Sequence, residues 1–116
     1  MEYAYVFLGG GVGSIIRLLI SNVYANVNLP YATLLTNFLS CSIVAVALLL
    51  SQKFNLNDGL KLFLIVGFCG GLSTFSAFSY ETIQLIKSGD LIYAILNVVL
   101  NMFFCFSVIF YLLKDL

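Results

Sequence analysis

The sequence contains no histidine, a single proline and few charged residues. Charged side chains make up 9% of the 116 residues, whereas hydrophobic ones make up 62%. So apolar a composition excludes a soluble domain with a sheltered core and is typical of a membrane protein. The lack of histidine also removes the side chain that usually carries protons near neutral pH.

The three cysteines, Cys41, Cys69 and Cys105, lie in separate apolar stretches without paired spacing. Because no histidine accompanies them, this pattern does not predict a metal or redox centre. We interpret them as small apolar side chains of the interior. No catalytic residue is predicted, and we do not expect an enzyme.

Charged residues divide the chain into four long apolar stretches and, apart from Lys61 at the edge of the third, only Arg17 and Glu81 lie inside one of them. About 20 helical residues cross roughly 30 Å of hydrocarbon, so each stretch can span a membrane. The fold class is therefore an all-α integral membrane protein, with residues 1–116 forming a single four-helix transmembrane domain. The predicted spans are Tyr3–Tyr24, Tyr31–Ser51, Leu60–Ile86 and Leu91–Leu113. The first connection carries a turn signal in Asn26, Asn28 and Pro30.

The middle of the third span does not suit a lipid-facing helix. Two glycines are followed by four hydroxyl residues: Gly70, Gly71, Ser73, Thr74, Ser76 and Ser79. Helix-breaking and hydroxyl residues at membrane depth are typical of places where polar groups face an ion or a buried partner. We expect this helix to break in mid-membrane and the protein to move a small charged species.

Polar residues form stripes at helical spacing in two other spans. Asn37 follows Thr33 and Thr36, and Asn97 and Asn101 are one turn apart. Such stripes face protein or water, and the pattern leaves open whether they form interhelical hydrogen bonds or line a pore.

Phe75 and Phe78 are three residues apart and share a helix face. Ring edges carry partial positive charge, so such a pair attracts a dehydrated anion weakly, without trapping it. A pair at this spacing is by itself usually core packing. The hydroxyl residues around it favour the anion interpretation.

Glycines four apart, Gly9 with Gly13 and Gly67 with Gly71, favour close helix packing. Four helices enclose little interior in which to shield a hydrophilic path from lipid, so we also expect oligomerisation.

Lysine and arginine residues are divided almost evenly between the two sides of the predicted bundle. Lys53, Lys61 and Lys114 share the side of the termini, whereas Lys87 and, if it reaches that interface, Arg17 lie on the other. So weak a bias specifies orientation poorly. Both a mixture of two orientations and a single orientation with cytoplasmic termini remain open.

These motifs resemble those of the Fluc (CrcB-type) fluoride channels. The similarity lies in residues 9–17, in residues 33–37 and, most specifically, in residues 67–81, GFCGGLSTFSAFSYE. The order of the motifs and the chain length agree with the family. One departure is Ser40, which stands where the family usually has glycine.

The resemblance implies an antiparallel, dual-topology homodimer in the lipid bilayer of the inner (plasma) membrane. Two narrow pathways would export fluoride passively and confer fluoride resistance. A structural sodium ion at the interface would be held by the backbone carbonyls of Gly70 and Ser73. The partners implied are fluoride and a second identical subunit, with a paralogue left open, and no nucleic acid.

The family's motifs also assign roles to side chains of this chain. The resemblance implies that Phe75, Phe78, Asn37 and Ser76 line the fluoride pore. The amide and hydroxyl groups among them would replace the water of a strongly hydrated anion. Arg17 would attract anions at a vestibule, which we favour over the structural alternatives of anchoring the helix or pairing with Glu81.

Two other functions remain open from the sequence. A small multidrug-type, proton-coupled exporter is also compact and has four spans, but such exporters rely on an acid within the first span, which this chain lacks. A non-transporting membrane subunit would use its polar stripes to bind a partner.

Overall fold

The computed structural model describes residues 1–26 and 29–114. Within them the regular structure is helical: α1 (Glu2–Val23), α2 (Tyr31–Phe54), α3 (residues 58–72), α4 (Phe75–Lys87) and α5 (Leu91–Leu113). Four stretches of these helices are long and apolar enough to cross a membrane. The third of them, Asp58–Lys87, consists of α3 and α4 together. The predicted spans are confirmed to within three residues at each end. Asn28 of the predicted turn lies outside the described residues.

Local sequence explains where the helices begin and end. Pro30 precedes α2 directly, and Asn55 ends it in the left-handed conformation, with φ 50°. Asn57 caps α3 by accepting a hydrogen bond from the Gly59 N–H at 2.6 Å. Gly89, with φ 84°, makes the tight turn between α4 and α5.

The helix α3 changes its winding along its length. A first turn, Asp58–Lys61, leads into a π-helical stretch, Leu62–Cys69, and a last turn, Gly70–Leu72. A π-helix is rare in proteins, and where one occurs it is often at a functional site. In this chain it lies where α3 packs against α1.

The interface between α1 and α3 is a contact of backbone on backbone. A Cβ added to Gly9 would collide with the carbonyl oxygen of Phe63, and one added to Gly13 would collide with that of Phe68. From the other side, a Cβ on Gly67 would lie 2.8 Å from the Val6 carbonyl oxygen. The predicted role of these glycines in close packing is confirmed.

The remaining helices form a thin layer beside this pair. The helix α2 packs against α5 and α3, and α4 packs against α5. The chain measures 49 × 32 × 19 Å, so its thin dimension is about two helix diameters. Large side chains such as Phe7, Phe106 and Phe110 point outward. Such a surface suits lipid or another membrane protein.

Candidate functional site

The third span breaks at Ser73 and Thr74, which are both extended, with ψ 158° and 126°. In a continuous helix the N–H groups of Thr74 and Ala77 would donate to the carbonyls of Gly70 and Ser73. Here the Thr74 N–H donates to Asn37 Oδ1 at 2.9 Å, and the Ala77 N–H donates to Thr74 Oγ1 at 3.0 Å. The break is confirmed, and it releases the two carbonyls to which the family resemblance assigns a role.

Arg17 compensates for a third interrupted bond. Its Nε donates to the Gly71 carbonyl oxygen at 3.1 Å, where the Phe75 N–H would donate in a continuous helix. Within residues 1–26 and 29–114 the ion pair formed is Lys61 with Asp58, at 3.5 Å, and not Arg17 with Glu81. The side chain of Arg17 therefore reaches the break itself.

Glu81 is instead bound by a hydroxyl. Thr33 Oγ1 donates to Glu81 Oε1 at 2.5 Å, and Thr36 Oγ1 donates to the Thr33 carbonyl at 3.1 Å. Glu81, Thr33 and Arg17 line a cavity of about 50 Å³ that reaches Thr74 at the break. Glu81 and Thr33 also line a cavity of about 600 Å³ that opens at the surface. The side chains thus form a polar approach to the break.

Asn37 of one predicted polar stripe joins Asn97 and Asn101 of the other in a series of hydrogen bonds. Asn37 Nδ2 donates to Asn101 Oδ1 at 3.0 Å, and Asn101 Nδ2 donates to Asn97 Oδ1, also at 3.0 Å. Asn97 Nδ2 then donates to Thr82 Oγ1 at 2.9 Å. Asn97 and Asn101 are buried, whereas Asn37 is half-buried. An amide nitrogen carries two hydrogens, so Asn37 keeps a second N–H that these hydrogen bonds do not use.

A cavity of about 220 Å³ lies at the break, between α2, α4 and α5. Asn37, Phe75 and Phe78 line it together with Ser73. The ring centroids of the two phenylalanines are 5.8 Å apart, with Phe75 74% exposed and Phe78 only 7%. Three of the four predicted pore residues are thus brought to one place.

Ser76, the fourth predicted pore residue, does not line that cavity. Its Oγ lies 3.1 Å from Thr74 Oγ1, on the exposed side of the break. Thr74 caps α4 and lines both the 50 and the 220 Å³ cavities, so it belongs to the site. It was not assigned a place in the pore from the sequence. A hydroxyl residue directly before a resumed helix is an N-cap signal that was available in the sequence.

Comparison with known proteins places this arrangement in a family. Residues 4–112 match the family model described as CrcB-like protein, Camphor Resistance (CrcB). The chain belongs to the CrcB family. The resemblance drawn from its motifs is therefore confirmed.

Among curated CrcB relatives, the chain is 43% identical to the "Fluoride-specific ion channel FluC" of Flavobacterium psychrophilum, over 85% of this chain and 83% of the relative. It is 42% identical to the protein of that name from Elusimicrobium minutum, over 94% and 88% of the two chains. The protein of that name from Phocaeicola vulgatus is 41% identical, over 72% of each chain. All three names describe channels and none describes an enzyme.

Proposed function

We propose that this protein is a fluoride channel that lets the anion leave the cell passively. The carrying observation is the meeting of the Asn37 amide with the Phe75 and Phe78 rings at one cavity beside the helix break. At this cavity, which Arg17 does not line, neutral N–H donors and ring edges replace part of the anion's hydration without a fixed cation that would trap it. The names of the relatives point to the same ion.

The proposed route uses the polar approach described above. Fluoride enters through the opening of about 600 Å³, passes the Arg17 charge and reaches Thr74 and Asn37 at the break. The second N–H of Asn37 and the exposed Ser76 hydroxyl then donate to the ion. In this proposal Arg17 raises the local anion concentration while it holds the Gly71 carbonyl.

We further propose that two identical subunits, inserted in opposite orientations in the inner (plasma) membrane, form the working channel with one pathway each. A subunit only 19 Å thick has little interior of its own, and Phe75, at the pathway, is 74% exposed. The near balance of Lys53, Lys61 and Lys114 against Lys87 and Arg17 supports dual topology.

A structural sodium ion between the two breaks is the remaining part of the proposal. The Gly70 and Ser73 carbonyls fit this ion, because their helical donors are diverted to Asn37 and Thr74. They are neutral oxygen ligands of the kind that coordinate alkali cations in membrane channels. When bound, sodium would link the two subunits and satisfy carbonyls otherwise stranded at membrane depth.

Purified protein in liposomes tests the function. With an outward fluoride gradient, we expect fluoride efflux on an ion-selective electrode, faster than from protein-free liposomes. Cation efflux driven by a proton gradient, without fluoride flux, would support the exporter. Neither flux would support the non-transporting subunit.

Reporters fused to the C-terminus test the dimer. We expect them on both membrane faces, with the distribution shifted by adding or removing one or two lysines. Forcing one orientation should abolish flux, and co-expression of an oppositely biased copy should restore it. A reporter on one face alone, with full activity from that chain, would contradict both the inverted homodimer and the sodium site.

A further inference from the structure

Three of the five sulfur-bearing residues of the chain meet in one cavity. Cys41 on α2 and Met102 and Cys105 on α5 line the cavity of about 220 Å³ that also contains Asn37 and Phe78. Met102 and Cys105 are three residues apart and share a face of α5. Cys41 and Cys105 therefore face the same cavity from two different helices. Helix packing completes this group, because Cys41 lies in a different span from Met102 and Cys105.

The number and type of these ligands determine which ion they suit. Within the part of the chain that the structure describes, no three histidine, cysteine, aspartate or glutamate side chains form a metal-binding cluster. A tetrahedral zinc site is therefore excluded among those residues. Thiolate and thioether ligands select soft cations, and d¹⁰ ions such as Hg²⁺ are stably bound by two thiolates in a line.

We propose that the Cys41 and Cys105 thiols, with the Met102 thioether beside them, bind a thiophilic d¹⁰ metal ion that closes the anion path. With Hg²⁺, each thiol loses its proton, two S–Hg bonds form and two protons pass to water. The resulting S–Hg–S bridge is neutral, so it avoids the cost of a charge at membrane depth. It links α2 to α5 and occupies the cavity beside Asn37 and Phe78.

Metal binding is tested first on the protein in detergent. Hg²⁺ is added, and a competing small monothiol then removes any ion that is held by one cysteine alone. We expect one Hg²⁺ retained per chain and a fall in free thiols from three to one. Loss of a single thiol, or of none, would overturn the site, and this measurement needs no substitution.

Three single variants locate the ion. Cys41→Ala and Cys105→Ala should each retain at least tenfold less Hg²⁺ than the parent. Cys69→Ala is the matched control, because Cys69 is buried on α3 and does not line the cavity. Retention in either of the first two variants, or loss in the control, would assign the metal elsewhere.

Closure of the path rests on the proposed fluoride function and is measured separately. Hg²⁺ should reduce fluoride efflux at least tenfold in the parent and in Cys69→Ala. Cys41→Ala and Cys105→Ala should each keep most of the flux that they show before the metal is added. If the parent retains Hg²⁺ but carries no fluoride beforehand, the channel proposal fails while the binding site stands. If efflux persists with Hg²⁺ bound, closure is refuted.

Discussion

The third span is held in two different ways along its length. Beside α1, glycines such as Gly9 and Gly13 bring backbone against backbone, with no room for a Cβ. At the break, the side chains of Asn37, Thr74 and Arg17 take over backbone hydrogen bonds that the helix has lost. Stability at the α1–α3 interface should therefore depend on side-chain volume, whereas the break should depend on which hydrogen-bonding groups its side chains carry. Substitutions that separate these two properties test the comparison.

The largest effect is expected from Gly13→Ala. Its Cβ would meet the Phe68 carbonyl and lie 2.9 Å from the Leu72 nitrogen, and a backbone cannot move aside as a side chain can. We expect destabilisation at the upper end of the roughly 1–3 kcal/mol typical of overpacking, or beyond it. Heating in detergent, followed by the fraction that remains monodisperse, measures the loss.

Gly11→Ala is the matched control for this change. It lies two residues away on the same helix, and a Cβ there meets nothing within 4 Å. We expect it to be neutral or slightly stabilising, because alanine favours the helix. Equal melting of the two variants would refute the account of the interface.

Asn37→Asp should cause the largest loss of transport among changes at the break. An ionised aspartate still accepts from the Thr74 N–H but donates neither to Asn101 nor to an anion. We expect fluoride efflux to fall by about 100-fold, on the scale of one or two lost hydrogen bonds with charged partners.

Asn57→Asp adds the same charge away from the break. Aspartate caps a helix as well as asparagine does, so the contact with Gly59 should persist. Its flux should match the parent. Parent-like flux in Asn37→Asp would instead make Asn37 a packing residue and place the pathway elsewhere.

Phe75→Ile should reduce transport by a smaller factor. Isoleucine keeps the apolar bulk but removes the polarised ring edge, so we expect flux to fall about three- to tenfold while the oligomeric state stays that of the parent. Phe110→Ile is the control, because Phe110 on α5 has the same 74% exposure and does not line the cavity.

Phe78→Ile should lower both flux and stability, since Phe78 is buried. Unchanged flux in both Phe75→Ile and Phe78→Ile would reassign the pair to packing.

The smallest effect is expected at Ser40. Its Oγ is buried and has no hydrogen-bond partner among the described residues. Ser40→Ala should therefore raise stability by up to about 1 kcal/mol. Ser42→Ala is the comparison, because the Ser42 Oγ donates to the Phe38 carbonyl at 2.9 Å and its removal should not stabilise. If Ser40→Ala melts at the same temperature as the parent, the Ser40 hydroxyl does not lower stability and this account is wrong.

Features that depend on local composition were predictable. The four spans follow from apolar length, and the break follows from Gly70, Gly71 and the hydroxyl residues after them. Glycines four apart indicated the close interface because helical spacing alone places them on one face. These properties depend on residues that are near one another in the chain.

Other contacts of the site were not predictable from spacing. Nothing local pairs Arg17 with the Gly71 carbonyl, and the sequence equally allowed a partner in Glu81. The three cysteines were interpreted as unrelated apolar side chains, yet Cys41 and Cys105 line one cavity. Both contacts depend on how each helix is rotated about its axis and on how far neighbouring helices are shifted along one another.

The sequence by itself determined that this protein lies in the membrane as four helices, with the third interrupted in its middle, within residues 70–79. Hydrophobic length and helix-breaking residues act within a few turns of chain, so these features need no knowledge of neighbours. Only the tertiary structure decided which groups replace the lost helix bonds and which side chains share the cavity at the break. A hydrogen bond requires donor and acceptor within about 3 Å, and for residues of different spans that distance is set by helix packing.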